Sequence, residues 1–402
     1  MLRVAVLGAG IMGSCVALRL ARAGCSVTLV DQAAAPMSGA SRWNEGKIHL
    51  GFLYAADTSG RTAAALLPGG LAFRTLIEEL IDSSIETAVT ADDDIYLVHP
   101  HSIVDADAME RYFRSLEARL PAFGSTANYL APITRVERLD GRTVRQLTDG
   151  AVAAGFRVPE RSLNTAWLAD RLAGAVAAEP RIRSVTGTRV SAVTPRAQSW
   201  NGPWRLDGRP QIDDEFDVVV NALWEGLLGV DRSLGLEPES EWSHRLRVAL
   251  FVTTGRPVPL PSMILATGPF GDVKNYDGRH FYLSWYPAGL VAGGEEIEPP
   301  ADPPVPPAND VIARTAAGLA GFLPQVSEVL DAATNVRVAG GWVFALGRGS
   351  LSDSAASLHR RDRFGVKRRG AYFSVNTGKY STAPWLASRI ANEITLGSAS
   401  LR

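Results

Sequence analysis

The first thirty-one residues of the chain, Met1 to Asp31, constrain its fold most strongly. A short apolar run, Leu2 to Leu7, stops at the glycine-rich segment Gly8 to Gly13, and residues 14–23 then repeat apolar side chains at helical spacing. A second apolar stretch, Ser26 to Val30, ends at Asp31. Strand, G-x-G-x-x-G turn, helix, strand and acid thus follow one another in the order of a dinucleotide-binding βαβ unit.

Each residue type in this unit has a physical reason. Gly8 permits the tight turn, Gly10 lets the backbone approach a pyrophosphate, and Gly13 lets the helix pack closely on the strand. The helix N-terminus offers N–H groups to phosphates, and Asp31 can accept hydrogen bonds from ribose hydroxyls. The unit therefore predicts a dinucleotide site, with a purely structural glycine-rich turn as the alternative. The predicted contacts are Gly8, Gly10, Ile11, Met12, Gly13, Asp31 and Gln32.

Composition excludes several classes of protein. The chain has 402 residues, enough for two domains, and its net charge of −1 gives no basic excess for nucleic acid. Cys15 and Cys25 are its only cysteines, and both fall inside the βαβ unit. A disulfide framework or a thiolate metal site is therefore not expected, no histidine has metal-ligand spacing, and a cytoplasmic location fits best.

Two stretches could be mistaken for membrane or targeting segments. Arg3 followed by the uncharged run 4–18 looks like a signal peptide, but the glycine spacing and the second strand favour a structural role. Residues 281–294 are too few to cross a membrane and contain Pro287. We therefore expect no membrane span.

The remaining chain gives a series of element predictions. Residues 216–222 are almost wholly apolar, which is typical of a buried parallel strand returning to the first sheet. Residues 241–294 alternate short strands with turns and predict an antiparallel sheet. The other predicted elements are helices at 71–81 (after Pro68-Gly69-Gly70), 105–120, 161–178, 310–319 and 385–394, and strands at 95–98, 189–193, 204–206, 336–339 (stopped by Gly340-Gly341) and 371–376.

Together these segments resemble the FAD-dependent oxidoreductases of the D-amino-acid oxidase and glycine/sarcosine oxidase type. The resemblance rests on the N-terminal unit, on residues 218–226, and on a C-terminal strand, glycine loop and helix. Locally, residues 44–51 are similar to the L-2-hydroxyglutarate dehydrogenase branch and the glycerol-3-phosphate dehydrogenase branch. Residues 378–382 also resemble the latter.

This resemblance implies an α/β fold in which a Rossmann-like FAD-binding domain, of the glutathione-reductase type, is interleaved with an α+β antiparallel-sheet substrate domain. The expected boundaries are 1–80, 156–228 and 331–402 for the discontinuous FAD-binding domain, and 81–155 and 229–330 for the substrate-binding domain. Trp224 stands where the family usually has glycine, and residues 41–49 lack the Trp-His pair of relatives with covalently bound flavin. We therefore expect FAD to be bound without a covalent link.

The resemblance also implies further cofactor contacts. Ser381 or Thr382 can cap the helix that Pro384 opens, and that helix end can point N–H groups at the reduced flavin ring. An ordinary capped surface helix is the alternative. The expected contacts outside the βαβ unit are Ser41, Arg42, Asn44, Gly46, Lys47, Val190, Asn221, Ala222, Gly378, Lys379, Tyr380, Ser381 and Thr382.

Three residues are candidates for catalysis. The resemblance places Lys47 over the flavin ring, where a cation stabilises the reduced anion; pairing with Glu45 on a solvated loop is the alternative. His49, two residues later, could act as a general base or be structural. Arg337 could hold a substrate carboxylate, with Arg348 as a second choice, or either arginine could form an ordinary ion pair.

The expected reaction is hydride transfer from a carbon bearing OH or NH to flavin N5, in a small and carboxylated substrate. A hydroxy acid is slightly favoured over an amine or amino acid. Oxygen or another acceptor would reoxidise the flavin. Two further classes stay open: a nicotinamide-dependent dehydrogenase, and a flavoprotein in which FAD is structural.

Overall fold

The computed structural model describes residues 1–123, 129–196 and 199–399, in which two large sheets organise the chain. The strands are β1 (Arg3–Leu7), β2 (Ser26–Val30), β3 (Lys47–Ile48), β4 (Asp94–Val98), β5 (Glu137–Arg138), β6 (Ala154–Val158), β7 (Arg161–Ser162), β8 (Ile182–Val185), β9 (Arg189–Pro195), β10 (Trp204–Arg209), β11 (Val218–Asn221), β12 (Ser243–Thr254), β13 (Met263–Ala266), β14 (Gly271–Asn275), β15 (His280–Trp285), β16 (Leu290–Gly294), β17 (Ala333–Ala345), β18 (Gly365–Arg369) and β19 (Tyr372–Asn376). The helices are α1 (Ile11–Arg22), α2 (Arg61–Ile81), α3 (Ala106–Arg119), α4 (Gly141–Thr148), α5 (Thr165–Ala178), α6 (Leu227–Ser233), α7 (Tyr286–Gly289), α8 (Ala308–Ala320), α9 (Val326–Asp331) and α10 (Ala383–Ala399).

The six-stranded sheet contains the N-terminal unit and has the order β18-β19-β11-β1-β2-β8. All neighbours are parallel except β18 and β19. Val4 and Val6 of β1 belong to the core cluster that includes α1 and α10, whereas Ala5 and Leu7 pack with the β9–β10 hairpin. Both faces of the sheet are therefore covered, and the prediction of a buried parallel strand at β11 is confirmed.

The nine-stranded sheet forms the second layer. Its order is β16-β12-β15-β14-β13-β4-β6-β5, with β17 also paired to β12. Its strands from β12 to β16 pair antiparallel with one another, as predicted, while β13 and β4 pair parallel. Apolar side chains of α8 and α9 pack with strands of this sheet in one core cluster.

Strand β17 corrects two expectations. We expected a short strand stopped by Gly340-Gly341 and lying in the FAD-binding domain from residue 331 onward. The strand instead runs through both glycines and pairs with β12. A Cβ on Gly340 would lie 1.8 Å from the Arg247 carbonyl oxygen, and one on Gly341 would lie 2.5 Å from Ala40 Cβ. The glycines therefore permit close contact with neighbouring chain segments instead of ending the strand.

Helix α2 corrects a third expectation, since it begins at Arg61 instead of after Gly70 and includes Pro68. A Cβ on Gly70 would lie 2.1 Å from the His49 carbonyl oxygen, and one on Gly69 would lie 2.9 Å from Thr382 Cα. The two glycines thus bring the segment around His49 and the C-terminal loop against one helix.

Two of the predicted helices begin at a hydrogen-bonded N-cap residue. The Asp105 carboxylate accepts a hydrogen bond from Ala108 N–H (2.8 Å) at the start of α3, and Asn164 accepts one from Trp167 N–H (3.1 Å) at α5. Among the helices described here, none is both long and apolar enough to cross a membrane.

Candidate functional site

The glycine turn after β1 has the geometry that its sequence predicts. Gly8 adopts a φ of +91°, in the region that favours glycine. A Cβ on Gly13 would lie 1.7 Å from the Gly8 carbonyl oxygen, so only glycine lets α1 approach the turn this closely. Ile11 N–H donates to Ser41 Oγ (2.9 Å), which fixes the following loop beside the helix N-terminus.

Asp31 stands at the end of β2, and its carboxylate organises this edge of the sheet. One oxygen accepts from Ala9 N–H (2.6 Å) and the other from Ala33 N–H (2.7 Å). A carboxylate oxygen can accept more than one hydrogen bond, so Asp31 can still bind a ligand hydroxyl.

A cavity of about 560 Å³ starts at Asp31, passes the N-terminus of α1 and reaches the C-terminal loop; we call it the long cavity. Most of the predicted contacts line it together. They are Gly8, Gly10, Ile11, Met12, Asp31, Gln32, Ser41, Asn44, Lys47, His49, Val190, Ala222, Gly378, Lys379 and Tyr380.

Several predicted contacts do not line this cavity. Arg42 forms an ion pair with Asp170 and donates to Ala166 O, so its guanidinium lies on α5. Gly46 has a φ of +67°, and a Cβ there would lie 1.9 Å from the Leu163 carbonyl oxygen. Gly13 likewise serves packing. These positions shape the site without reaching into it.

Of three polar residues expected at the cofactor, Asn221 and Thr382 are hydrogen-bonded to the protein itself, and Ser381 is buried with no partner for its Oγ among the described residues. The Asn221 amide donates to Leu227 O, to Asp231 and to Tyr372 OH. Thr382 Oγ1 donates within its own loop to Thr377 O and Lys379 O, and Ser381 is fully buried away from the cavity. They hold the two turns that border the long cavity.

The expectation that Arg337 clamps a substrate is wrong. Its side chain is exposed on β17 and stacks over the Trp43 ring, with 4.5 Å from the guanidinium carbon to the ring centroid. It lines neither the long cavity nor the second cavity described below. Arg348, the second choice, pairs with Glu295 at 3.2 Å. The alternation of apolar and polar residues around Arg337 predicts that its side chain leaves the apolar face. It cannot reveal that β17 is an edge strand whose other face lies in solvent.

A second cavity of about 240 Å³ adjoins the long cavity. We call it the arginine cavity because Arg245, Arg247 and Arg361 line it. It shares five lining residues with the long cavity, so the two spaces meet there. These are Glu45, Lys47, Val343, Arg361 and Lys379.

Lys47 belongs to a buried group of charges that we call the compensated cluster: Lys47, Lys274, Asp94 and Glu160. Asp94 forms ion pairs with both lysines, and Lys274 Nζ lies 2.8 Å from it. Against the effect of burial, Asp94 raises the pKa of Lys47. The alternative of a solvated loop with a Lys47–Glu45 pair is therefore wrong.

Glu160 completes this cluster. One of its oxygens accepts from Leu50 N–H (2.6 Å), Gly51 N–H (2.9 Å) and Phe52 N–H (3.2 Å). The other accepts from Tyr96 OH (2.6 Å). Two lysines and two carboxylates thus balance one another in the interior.

The arginine cavity contains a different group, which we call the open cluster: Arg245, Arg247, Arg361 and Lys379. Within the described part of the chain, none of these cations has a carboxylate within 4.0 Å. Nε of Arg245 and Nε of Arg247 are buried without a hydrogen-bond partner. Sequence reasoning missed the arginines, although the pattern Arg-x-Arg on β12 places Arg245 and Arg247 on one face.

The open cluster changes the acid–base properties of its neighbours. Burial, together with repulsion from Arg361, lowers the pKa of Lys379 to about 7. Burial and the charge of Lys379 keep the pKa of His49 well below its usual value, so His49 is neutral at physiological pH. Of Lys379 and His49, it is therefore Lys379 whose pKa lies near neutral pH, whereas the sequence suggested His49.

Trp224 marks where the chain departs from the resemblance. It lines the long cavity with a φ of +57°, a conformation that glycine adopts readily. Its Nε1–H donates to Trp342 O (2.7 Å), and its ring packs edge-on against Phe344. These contacts hold a bulky residue in a glycine-like backbone conformation.

Residues 1–123, 129–196 and 199–399 contain no group of three or more His, Cys, Asp or Glu side chains suited to a metal ion.

One protein-family model matches nearly the whole chain. The profile of DAO, described as FAD dependent oxidoreductase, matches residues 3–387. Among solved structures, glycine oxidase from Geobacillus kaustophilus has a TM-score of 0.67 at 17% identity, covering 98% of this chain and 94% of that one.

Two further structures give similar values. Reduced L-α-glycerophosphate oxidase from Mycoplasma pneumoniae with FAD bound has a TM-score of 0.64 at 13% identity, covering 98% and 95% of the two chains. L-amino acid deaminase from Proteus vulgaris has a TM-score of 0.67 at 12% identity, covering 99% of this chain and 94% of that one. At such identities these likenesses show the fold alone. No curated protein matches significantly.

Proposed function

Since the chain belongs to the DAO family of FAD-dependent oxidoreductases, we propose that its long cavity binds FAD and its arginine cavity binds a small anionic substrate. FAD would supply the acceptor for the hydride, which carries the two electrons of the oxidation. The residues of the long cavity fit this cofactor. A Cβ on Gly10 would lie only 2.9 Å from Ser41 Oγ. The glycine therefore keeps space open beside the N-terminus of α1, where a pyrophosphate could bind.

The arginine cavity adjoins the end of the long cavity where Lys379 lies. We place the flavin ring at this junction. A substrate carboxylate would bind Arg247, whose Nε lacks a partner while one terminal nitrogen donates to Ser284 Oγ (2.8 Å). A guanidinium holds both carboxylate oxygens at once, which orients the adjoining carbon.

The excess of positive charge favours a hydroxyl over an amine as the reacting group. Three arginines line this space against two carboxylates, Glu45 and Asp272, outside the compensated cluster, and Lys379 adds a further positive charge when it is protonated. A protonated amine would be repelled by the excess, whereas a hydroxyl carries no charge. This observation supports oxidation of a hydroxy acid.

Oxidising an alcohol requires a base for the hydroxyl proton while the hydride leaves the carbon. Lys379 is suited to this role because it lines both cavities and its pKa is about 7. Neutral His49 has an unpartnered, buried Nδ1 and lines the long cavity, so it can orient the hydroxyl by a hydrogen bond. Lys47, already paired with Asp94, contributes to the field without exchanging a proton.

One observation favours a second candidate, an amine or amino acid. Glu45 and Asp272 line the arginine cavity without ion pairs of their own among the described residues. Burial and the neighbouring Glu45 raise the pKa of Asp272 to about 6. A substrate ammonium placed there would relieve the repulsion between the carboxylates.

Anaerobic stopped-flow reduction of the bound flavin tests the choice. Hydroxy and amino acids with the same carbon skeletons, each as both enantiomers, would be mixed with the FAD-loaded protein. We expect reduction by a hydroxy acid and much slower reduction by its amino counterpart. The reverse order would establish the amine candidate. Reoxidation rates with oxygen and with an artificial acceptor would then identify the electron acceptor.

A further inference from the structure

The charges that line the arginine cavity are not compensated evenly. Arg247 has acidic neighbours, because Glu45 and Asp272 both interact electrostatically with it. The environment of Arg361 is different. Burial and the adjacent Arg245 guanidinium lower the pKa of Arg361 to about 10, and the only groups opposing them are the neutral phenols of Tyr54 and Tyr286.

Arg245 and Arg361 therefore form a pair of mutually repelling guanidinium groups, and among the described residues neither has a carboxylate within 4.0 Å. They come from different parts of the fold, Arg245 from β12 and Arg361 from the loop before β18. Arg245 makes one side-chain hydrogen bond, to Tyr286 OH at 3.3 Å, and its buried Nε has no partner. Burying two like charges is unfavourable unless a ligand compensates them.

We propose that the substrate carries two anionic groups, and that Arg245 and Arg361 together bind the second group while Arg247 binds the first. This inference rests on the proposed function and specifies its substrate class as a dianion. The second group is a carboxylate or a phosphate, since both accept paired N–H donors from guanidinium groups. A single carboxylate at Arg247 would leave the Arg245–Arg361 pair uncompensated.

The cavity also limits the size of such a molecule. At about 240 Å³ it holds a short carbon chain with a charged group at each end. Arg361 lines both cavities, whereas Arg245 and Arg247 line only the arginine cavity. The second anionic group would therefore bridge β12 and the junction with the long cavity.

Equilibrium titration of the FAD-loaded protein with unreactive acids tests the inference without turnover. Butyrate is glutarate with one carboxylate replaced by hydrogen, and 3-phosphonopropionate ends in a phosphonate in place of one CH2–COO− unit of glutarate. Binding would be followed by the change in flavin absorbance at constant ionic strength. We expect glutarate or 3-phosphonopropionate to bind about 10- to 100-fold more tightly than butyrate, and the tighter of the two identifies the second group.

Variants locate the effect. Arg361→Gln should reduce the preference for the dianion about tenfold or more, and Arg361→Lys should restore part of it. Arg337→Gln, an exposed arginine outside both cavities, is the matched control and should leave the preference unchanged. If either Arg361 variant fails to fold, the wild-type comparison of glutarate with butyrate still decides the matter.

Equal affinity of the wild-type protein for all three acids would overturn the inference. So would a preference that survives in Arg361→Gln. Neither result touches the proposed function, which depends on flavin reduction by a hydroxy acid. Conversely, a dianion preference without any reduction by hydroxy acids would refute the hydroxy-acid assignment and leave the two-anion site standing.

Discussion

Two groups of buried charges lie side by side in this protein and differ in how they are balanced. In the compensated cluster, Asp94 pairs with Lys47 and Lys274, while Glu160 accepts three backbone N–H groups. In the open cluster, no cation has a carboxylate within 4.0 Å among the described residues. Where the protein balances its own buried charges, removing one partner destabilises the fold, whereas charges left unbalanced beside a cavity are available to a ligand.

The largest expected effect concerns Lys379. Replacing it with Met should slow flavin reduction by a hydroxy acid about 10²- to 10⁴-fold, because the substrate proton loses its acceptor. The ammonium form cannot accept a proton, so wild-type kcat/KM should fall about tenfold per pH unit below a pKa of about 7 and level off above it. Stopped-flow rates and pH profiles measure both.

Lys367, an exposed lysine paired with Glu239 at 3.0 Å, provides the matched control for that experiment. Lys367→Met should keep the rate and the pH profile of the wild type. If kcat/KM of Lys379→Met still falls below about pH 7, the titrating group is not Lys379.

In the compensated cluster, the expected effect is on stability. Asp94→Asn leaves two buried lysines without their shared carboxylate and should lower the free energy of unfolding by about 3–5 kcal/mol. Denaturant unfolding of the FAD-loaded protein measures it. Asp170→Asn removes an exposed partner of Arg42 and should cost only about 0–1 kcal/mol. Equal losses for the two variants would mean that burial of the pair contributes nothing.

Arg247 tests the opposite expectation in the open cluster. Arg247→Gln should weaken binding of a substrate carboxylate about 10- to 100-fold, because a charge-assisted hydrogen-bond pair is lost. Its unfolding free energy should change by no more than about 1.5 kcal/mol, the worth of the single hydrogen bond to Ser284. If Arg247→Gln greatly lowers the free energy of unfolding and leaves the affinity for a substrate carboxylate unchanged, Arg247 has a structural role like the charges of the compensated cluster.

An effect about as large as that of Arg247 is expected at the far end of the long cavity. Asp31→Ala should weaken FAD binding by about 1.5–3 kcal/mol while hardly changing the spectrum of bound flavin, since the ring binds far from the ribose. Acid precipitation should release the FAD of the wild type, and rebinding titrations give its affinity. Asp31 also accepts hydrogen bonds from the Ala9 and Ala33 N–H groups, so the substitution could destabilise the fold. Comparing the melting temperatures of the FAD-free wild type and variant would separate a loss of stability from the loss of a contact to FAD. Unchanged affinity would mean that Asp31 only ends the strand.

Local signals in the sequence were enough to predict several elements of the fold. Three glycines at fixed spacing identified the βαβ unit, residues 105–120 were predicted as a helix that α3 confirms, and an apolar run identified β11. Each of these signals acts within a few residues, so the chain carries it before any tertiary contact forms.

Only the tertiary structure decided what the charged residues do. Lys47 meets Asp94 and Lys274 from other strands of the chain, and Arg361 meets Arg245 across more than a hundred residues. The same holds for Gly69-Gly70 and Gly340-Gly341, which permit close contact where the sequence suggested breaks. Arg337 and Arg247 look alike in sequence. Arg337 is exposed because it lies on the solvent-facing side of an edge strand, whereas Arg247 lines the arginine cavity. Electrostatic roles depend on distance and burial, and both are set by how distant segments pack.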